Sequence, residues 1–213
     1  MHDRTVLFDL DGTLLDHFAA IHRCHAHTMR QLGLAEPTLA QVRAAVGAGV
    51  EVAVERLVGK QRQAEALAIY RPYWDATMLD DVQLLPGAKE LLAFLRQQGV
   101  RTAVFTNKHG PSSRLTCAHL GIAGLLDGNF GATDTPWLKP DPQFAAHVMR
   151  VLGAGAATTL LVGDSPYDFA AARHAGFGFY GVTTGTHTAA ELRAAGATEI
   201  FPDLPAIQRR LAG

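Results

Sequence analysis

Cysteine is scarce in this chain. Only two occur in 213 residues, Cys24 and Cys117, far apart and without metal-ligand spacing, so they read as free thiols in a reducing compartment. Excess charge is also lacking. The 19 Lys+Arg against 20 Asp+Glu leave a formal net charge of −1, which gives no electrostatic ground for a nucleic-acid partner or an anionic membrane. No stretch approaches the ~20 apolar residues of a membrane helix. Low-complexity tracts are missing too, which argues against disorder. The start, Met1-His2-Asp3-Arg4, runs straight into a short apolar segment and lacks the marks of a secretory leader. Cytoplasmic location is the resulting expectation. What the chain does have is core material: 48% of it is hydrophobic, enough for one large domain or a domain with a smaller insertion.

Short apolar runs recur at Thr5–Asp9, Val100–Thr106 and Thr159–Asp164, with a weaker one at Gly178–Val182. Each leads to a polar or glycine-containing turn and then to helical periodicity, the pattern of parallel strands buried on both faces. Helices are expected at Ala88–Gln98, Phe144–Leu152 and Phe169–Ala175, each followed by a glycine stop. The alternation predicts an α/β fold, a Rossmann-like parallel sheet flanked by helices. Ligands of such sheets bind at the carboxyl ends of the strands, where Asp9, Thr106 and Asp164 fall. The stretch after Leu15 breaks the rhythm. It shows only helical periodicity, at Ile21–Leu32, Leu39–Ala48, Val52–Leu57 and Ala64–Ala76, and is too long for a simple crossover. It is read as an inserted small α-helical cap over residues 16–83, with the main domain built from residues 1–15 and 84–213.

Asp9-Leu10-Asp11-Gly12-Thr13 is the most informative segment. One carboxylate can attack phosphorus to form a covalent intermediate. A second can protonate the leaving oxygen and then deprotonate water. Gly12 suits a tight turn. On spacing alone, two acids capping a loop remain an alternative. The segment resembles the first motif of the haloacid dehalogenase-like (HAD) hydrolases. Thr106-Asn107, Lys139 in Lys139-Pro140-Asp141-Pro142, and Gly163-Asp164-Ser165 with Asp168 resemble the second, third and fourth motifs, in the family's order. The likeness spans essentially the whole chain and is nearest to the phosphoglycolate phosphatase-like branch.

That resemblance implies a Mg²⁺-dependent phosphatase acting on a small phosphorylated metabolite. It implies Asp9 as nucleophile and metal ligand, and Asp11 as acid/base with a backbone carbonyl on the metal. Asp164 would be a further ligand, and Asp168 a ligand or a partner of Lys139. Mg²⁺ favours such oxygen donors. Lys139 would neutralise phosphoryl charge. Thr106, the Asn107 N–H, Lys108 and the cap glycines Gly47 and Gly49 are the candidate substrate contacts. Asp11 argues against a dehalogenase, whose members lack this second acid. A phosphomutase of the beta-phosphoglucomutase type and a pyrophosphatase share the chemistry and stay open. A phosphonate-cleaving enzyme would need a cap lysine, and the cap's Lys60 is poorly placed for it. A non-enzymatic binding protein is the remaining class. Whether the chain is a monomer or a homodimer is undetermined.

Asp16-His17 departs from the Asp-Ser more usual in these enzymes. His22 and His25 share a helix face without an acidic partner and read as ordinary helical residues, not as a zinc site. Tyr70, Tyr73 and Trp74 read as a packing face.

Overall fold

A computed structural model of the chain describes residues 4–213. Met1–Asp3, on which the leader reading begins, lie outside the described residues. The elements run β1 (Thr5–Phe8), β2 (Leu15–Asp16), α1 (Phe18–Gln31), α2 (Leu39–Ala45), α3 (Val50–Val58), α4 (Gln63–Thr77), β3 (Gln83–Leu84), α5 (Ala88–Gln97), β4 (Arg101–His109), α6 (Gly110–His119), β5 (Gly128–Ala132), α7 (Pro142–Leu152), β6 (Thr159–Gly163), α8 (Pro166–Ala175), β7 (Gly178–Val182), α9 (Ala189–Ala195), β8 (Ile200–Phe201) and α10 (Leu204–Ala212).

Six strands form one parallel sheet in the order β5-β4-β1-β6-β7-β8. Side chains alternate across a strand, and β1 divides accordingly. Val6 and Phe8 join Leu91, Leu92 and Leu95 of α5 with Leu204 and Ile207 of α10. Leu7 points the other way, to Phe144 and Val148 of α7 and Ala171 and Ala172 of α8. With both faces covered, the strand has no solvent side, which is why its sequence is continuously apolar.

The chain builds β4 and β5 on one side of β1, then β6 to β8 on the other. That reversal opens a crevice at the carboxyl ends of the central strands. Over it sit α1 to α4, whose buried residues form a core of their own around Phe18, Ile21, Val42, Val54, Tyr70 and Trp74. The two-stranded antiparallel pair β2–β3 joins this helical insertion to the sheet, and Leu85 N donates to Leu14 O at 3.0 Å beside it.

Several elements differ from the sequence expectation. The helix expected over Leu39–Ala48 ends at Ala45, because Gly47 and Gly49 take φ of 119° and 95°, outside helical space. The strands β5 and β8 were not anticipated. Gly128 and Gly131 dilute the apolar signal of β5, and β8 has only two residues. The pair β2–β3 is equally short, and pairing rather than composition defines it.

Candidate active site

Asp9 follows β1 directly, and its N–H donates to Val162 O of the neighbouring β6 at 2.9 Å. Asp164 follows β6 in the same way. The two carboxylates thus stand on adjacent strand tips. Asp168 reaches them from the first turn of α8, where Ser165 and Asp168 form a reciprocal cap: Ser165 N and Oγ donate to Asp168 Oδ2 at 3.0 and 2.6 Å. Lys139, on the loop before α7, donates from Nζ to Asp9 Oδ1 at 2.8 Å and to Asp168 Oδ1 at 2.6 Å. Lys139, Asp164 and Asp168 are all buried, while Asp9 opens on a cavity.

This cluster has more negative charge than its one lysine balances. One carboxylate oxygen from each of Asp9, Asp164 and Asp168 lies within 4.8 Å of the other two. Burial pushes the Asp9 carboxyl above the usual carboxylate range despite the pull of Lys139. Burial, then the charges of Asp9 and Asp168, push Asp164 up as well. Burial opposes charge on Lys139, but Asp168 and Asp9 outweigh it and keep the ammonium ion. Three carboxylates against one ammonium leave room for a dication, and an all-oxygen donor set suits a hard ion such as Mg²⁺. The residues fit that group.

Asp11 stands apart from the three. Lys108 Nζ donates to both of its oxygens, at 3.1 and 3.0 Å, and lies 4.7 Å from the centroid of the Trp74 ring. Burial opposes ionisation of Asp11, but the Lys108 ammonium outweighs it and holds the carboxyl well below the usual range. The sequence expectation gave Lys108 to the substrate. In the structure its ammonium is occupied by Asp11.

Asn107 is also committed. Its Nδ2 donates to Gly47 O at 3.1 Å and to Lys139 O at 3.0 Å, and its Oδ1 accepts from Lys139 N at 2.7 Å. The side chain therefore ties the glycine loop of the helical insertion to the loop carrying Lys139. Thr106 is buried in β4, with its Oγ1 accepting from Lys108 N at 3.2 Å. Gly47 and Gly49 border the cavity beside Asn107, whereas Lys60 lies exposed in a short turn away from it.

Two contributors escaped the sequence analysis. Thr186 donates to Asp164 Oδ2 from its N–H at 2.7 Å and from its Oγ1 at 3.0 Å. Beside it, a Cβ on Gly185 would collide with the Asp164 carboxylate, so only glycine permits that approach. The run Val182-Thr183-Thr184-Gly185-Thr186 at the end of a strand was the available signal. His17 is the second. It is wholly buried, and its Nε2 bonds Met78 O, which as a carbonyl can only accept. Burial, then the Lys108 charge, lower its pKa and favour the neutral ring. Its Nδ1 is then a bare acceptor with no hydrogen-bond partner, 3.5 Å from Asp11 Oδ1.

The cavity between sheet and insertion measures about 380 Å³. Its floor includes Asp9, Asp11, Thr106, Lys108 and Asp164, and its opposite wall includes Ile21, His25, Val46, Val50, Tyr70 and Trp74. His25 was read as an ordinary helical residue, yet it faces this space. Tyr70 and Trp74 both pack the helical core and line the cavity, while Tyr73 stacks on His27.

Carboxylates on adjacent tips of a parallel sheet, a buried lysine bridging one of them to a helix carboxylate and a helical cover define a class of hydrolase. Residues 6–182 match the model of the haloacid dehalogenase-like hydrolases, and the chain belongs to that family. It lies on the phosphoglycolate phosphatase-like branch and is an enzyme of the phosphatase type. A Cereibacter sphaeroides phosphoglycolate phosphatase is 32% identical over 97% of this chain and 98% of its own. The Dickeya dadantii "Probable phosphatase IndB" is 34% identical over 89% of this chain and 85% of its own. A solved haloacid dehalogenase-like hydrolase from Streptococcus pneumoniae superposes with a TM-score of 0.89 at 24% identity, covering 99% of this chain and all of that one. Among the described residues, no helix is long and apolar enough to cross a membrane.

Proposed function

We propose that the chain is a magnesium-dependent phosphomonoesterase that hydrolyses a small phosphorylated metabolite by way of a phosphoryl group carried on Asp9. The observation that carries this reading is the separation of the acids. Asp9, Asp164 and Asp168 share one buried cluster, while Asp11 is held apart by Lys108. Asp9, the Asp11 backbone carbonyl and Asp164 would hold the ion, with Asp168 ligating or acting through Lys139. When bound, Mg²⁺ supplies positive charge against the phosphoryl oxygens.

In the first half-reaction an Asp9 oxygen forms a bond to phosphorus as the bond to the leaving oxygen breaks, and Asp11 gives that oxygen a proton. In the second, the Asp11 carboxylate takes a proton from water as the water attacks phosphorus. The Asp9–phosphorus bond breaks, and inorganic phosphate leaves. Lys139, the Thr106 hydroxyl and the Asn107 N–H are assigned to the phosphoryl oxygens, where fixed donors lower the barrier without reorganising. Asp11 must carry a proton for the first half. A phosphate oxygen arriving beside Lys108 competes for its ammonium and loosens its hold on the carboxylate. The bare Nδ1 of His17 then offers the resulting acid an acceptor.

Phosphoglycolate, named for several relatives at about a third identity, is the first ester to assay. Phosphate release from a panel of phosphomonoesters, with magnesium and with chelator, tests the reading. Magnesium-dependent release that Asp9→Asn abolishes is expected. Release that survives this substitution would sink the covalent route, and conversion of a sugar phosphate without phosphate release would point to a mutase.

A further inference from the structure

The cavity wall opposite Asp9 has a chemistry of its own. Ile21, Val46 and Val50 make it apolar, and Tyr70 and Trp74 add two rings 6.0 Å apart at only 16° between planes. The cations on the lining are already engaged: Lys108 with Asp11, and with the phosphate once it arrives, and Arg71 with Glu51 at 2.8 Å. Asp75 adds negative charge on the same side. A carboxylate on the leaving group would lose its water here and find no free ammonium or guanidinium in exchange, a costly transfer.

His25 is the polar exception. Its ring is 98% buried (2% exposed), faces the cavity and packs 4.8 Å from Tyr70. Burial pushes its pKa down to about 4, so it is a neutral group with one donor and one acceptor nitrogen. The cavity, about 380 Å³ over the catalytic floor and the helical wall together, falls in the range of pockets that enclose ring-sized ligands.

We infer that the leaving alcohol is uncharged and carries a flat or apolar ring that lies along Tyr70 and Trp74, with a neutral polar group of that ring meeting His25. This inference rests on the phosphatase reading above and narrows its substrate class away from phosphorylated carboxylic acids.

Three esters of unactivated alcohols separate the possibilities: benzyl phosphate, ethyl phosphate and phosphoglycolate, assayed with magnesium on the full chain. Benzyl phosphate is expected to give a kcat/KM at least tenfold above either of the others. Equal or better turnover of phosphoglycolate would overturn the inference and leave the phosphatase reading standing. Val50→Lys places a cation on the apolar wall and is expected to narrow or reverse the preference in favour of phosphoglycolate, which a general loss of folding would not do. Should no ester release phosphate, the phosphatase reading fails, and ligand binding is read separately. Asp9→Asn protein titrated with the same three esters should show its tryptophan fluorescence, from Trp74 and Trp137 together, quenched most strongly by benzyl phosphate. Failure of benzyl phosphate to bind more tightly than phosphoglycolate in that titration would also overturn the inference.

Discussion

The two walls of the cavity solve opposite problems. On the sheet side, charged groups are packed together and nearly every one has a named partner: Lys139 with Asp9 and Asp168, Lys108 with Asp11, and Thr186 with Asp164. On the helical side, the wall is mostly apolar and its one histidine, the buried His25, faces the cavity. Preorganised charge suits a phosphoryl group, which is common to every substrate of such an enzyme. An adaptable apolar surface suits the part that differs between substrates. On the proposed reading, chemistry and selection fall to separate stretches of chain, so damage to one side should leave a different kinetic trace from damage to the other.

The largest separation should come from Asp11→Asn. The amide cannot donate a carboxylic proton or accept one from water, and kcat is expected to fall by ~10²–10⁴-fold with little change in KM. Steady-state kinetics on the best ester check this. An equal rise in KM would mean that Asp11 belongs to binding and that the division between walls is wrong.

Magnesium gives the next effect, this time on stability. Asp9 and Asp164 hold their protons more tightly folded than unfolded. Without metal, their contribution is therefore fully present below the ordinary carboxylate range and is lost as pH rises through their raised folded values. Thermal melts of metal-free protein should fall in Tm over that window. Saturating magnesium should restore about 3 kcal/mol, roughly 6–12 °C for a chain of this size, most clearly on the alkaline side. A metal-free Tm that climbs with pH there would contradict the assigned charge excess.

Asn107→Ala probes the seam between the walls. It removes the bonds to Gly47 and to the Lys139 loop and should cost about 1–3 kcal/mol in denaturant unfolding. Both kcat and KM should worsen, because the seam serves both sides. The smallest effect is expected for His17→Asn, which keeps a polar side chain but not the imidazole arrangement. A loss in kcat of less than about tenfold is expected, at the low end of what proton-transfer groups contribute, with the preference among esters unchanged. A changed preference would assign His17 to selection instead.

Much of the sheet was legible because its strands obey a local rule. Strands buried on both faces must be continuously apolar, so β1, β4 and β6 announce themselves, and the polar residue at each end stands out. The short β2, β3 and β8 lack that signal, since a two-residue strand is defined by its partner. Among site positions, Asp9, Lys139, Asp164 and Asp168 were legible as motifs and do come together in space. Lys108 was legible as a basic residue, but its pairing with Asp11 was not, because the two lie 97 positions apart. His25, Tyr70 and Trp74 looked like packing from their spacing. Spacing tells which helix face is apolar, not whether a cavity lies in front of it.

The sequence by itself determined the α/β alternation, the helical insertion after the first strand and the residue types available for phosphoryl chemistry, because each depends on periodicity or on a motif a few residues long. Tertiary structure alone decided which charges neutralise which, which Asp is set apart from the other three, and what kind of surface lies across the cavity from them. Those properties depend on distance and burial, and the residues that meet across this cavity come from segments far apart in the chain.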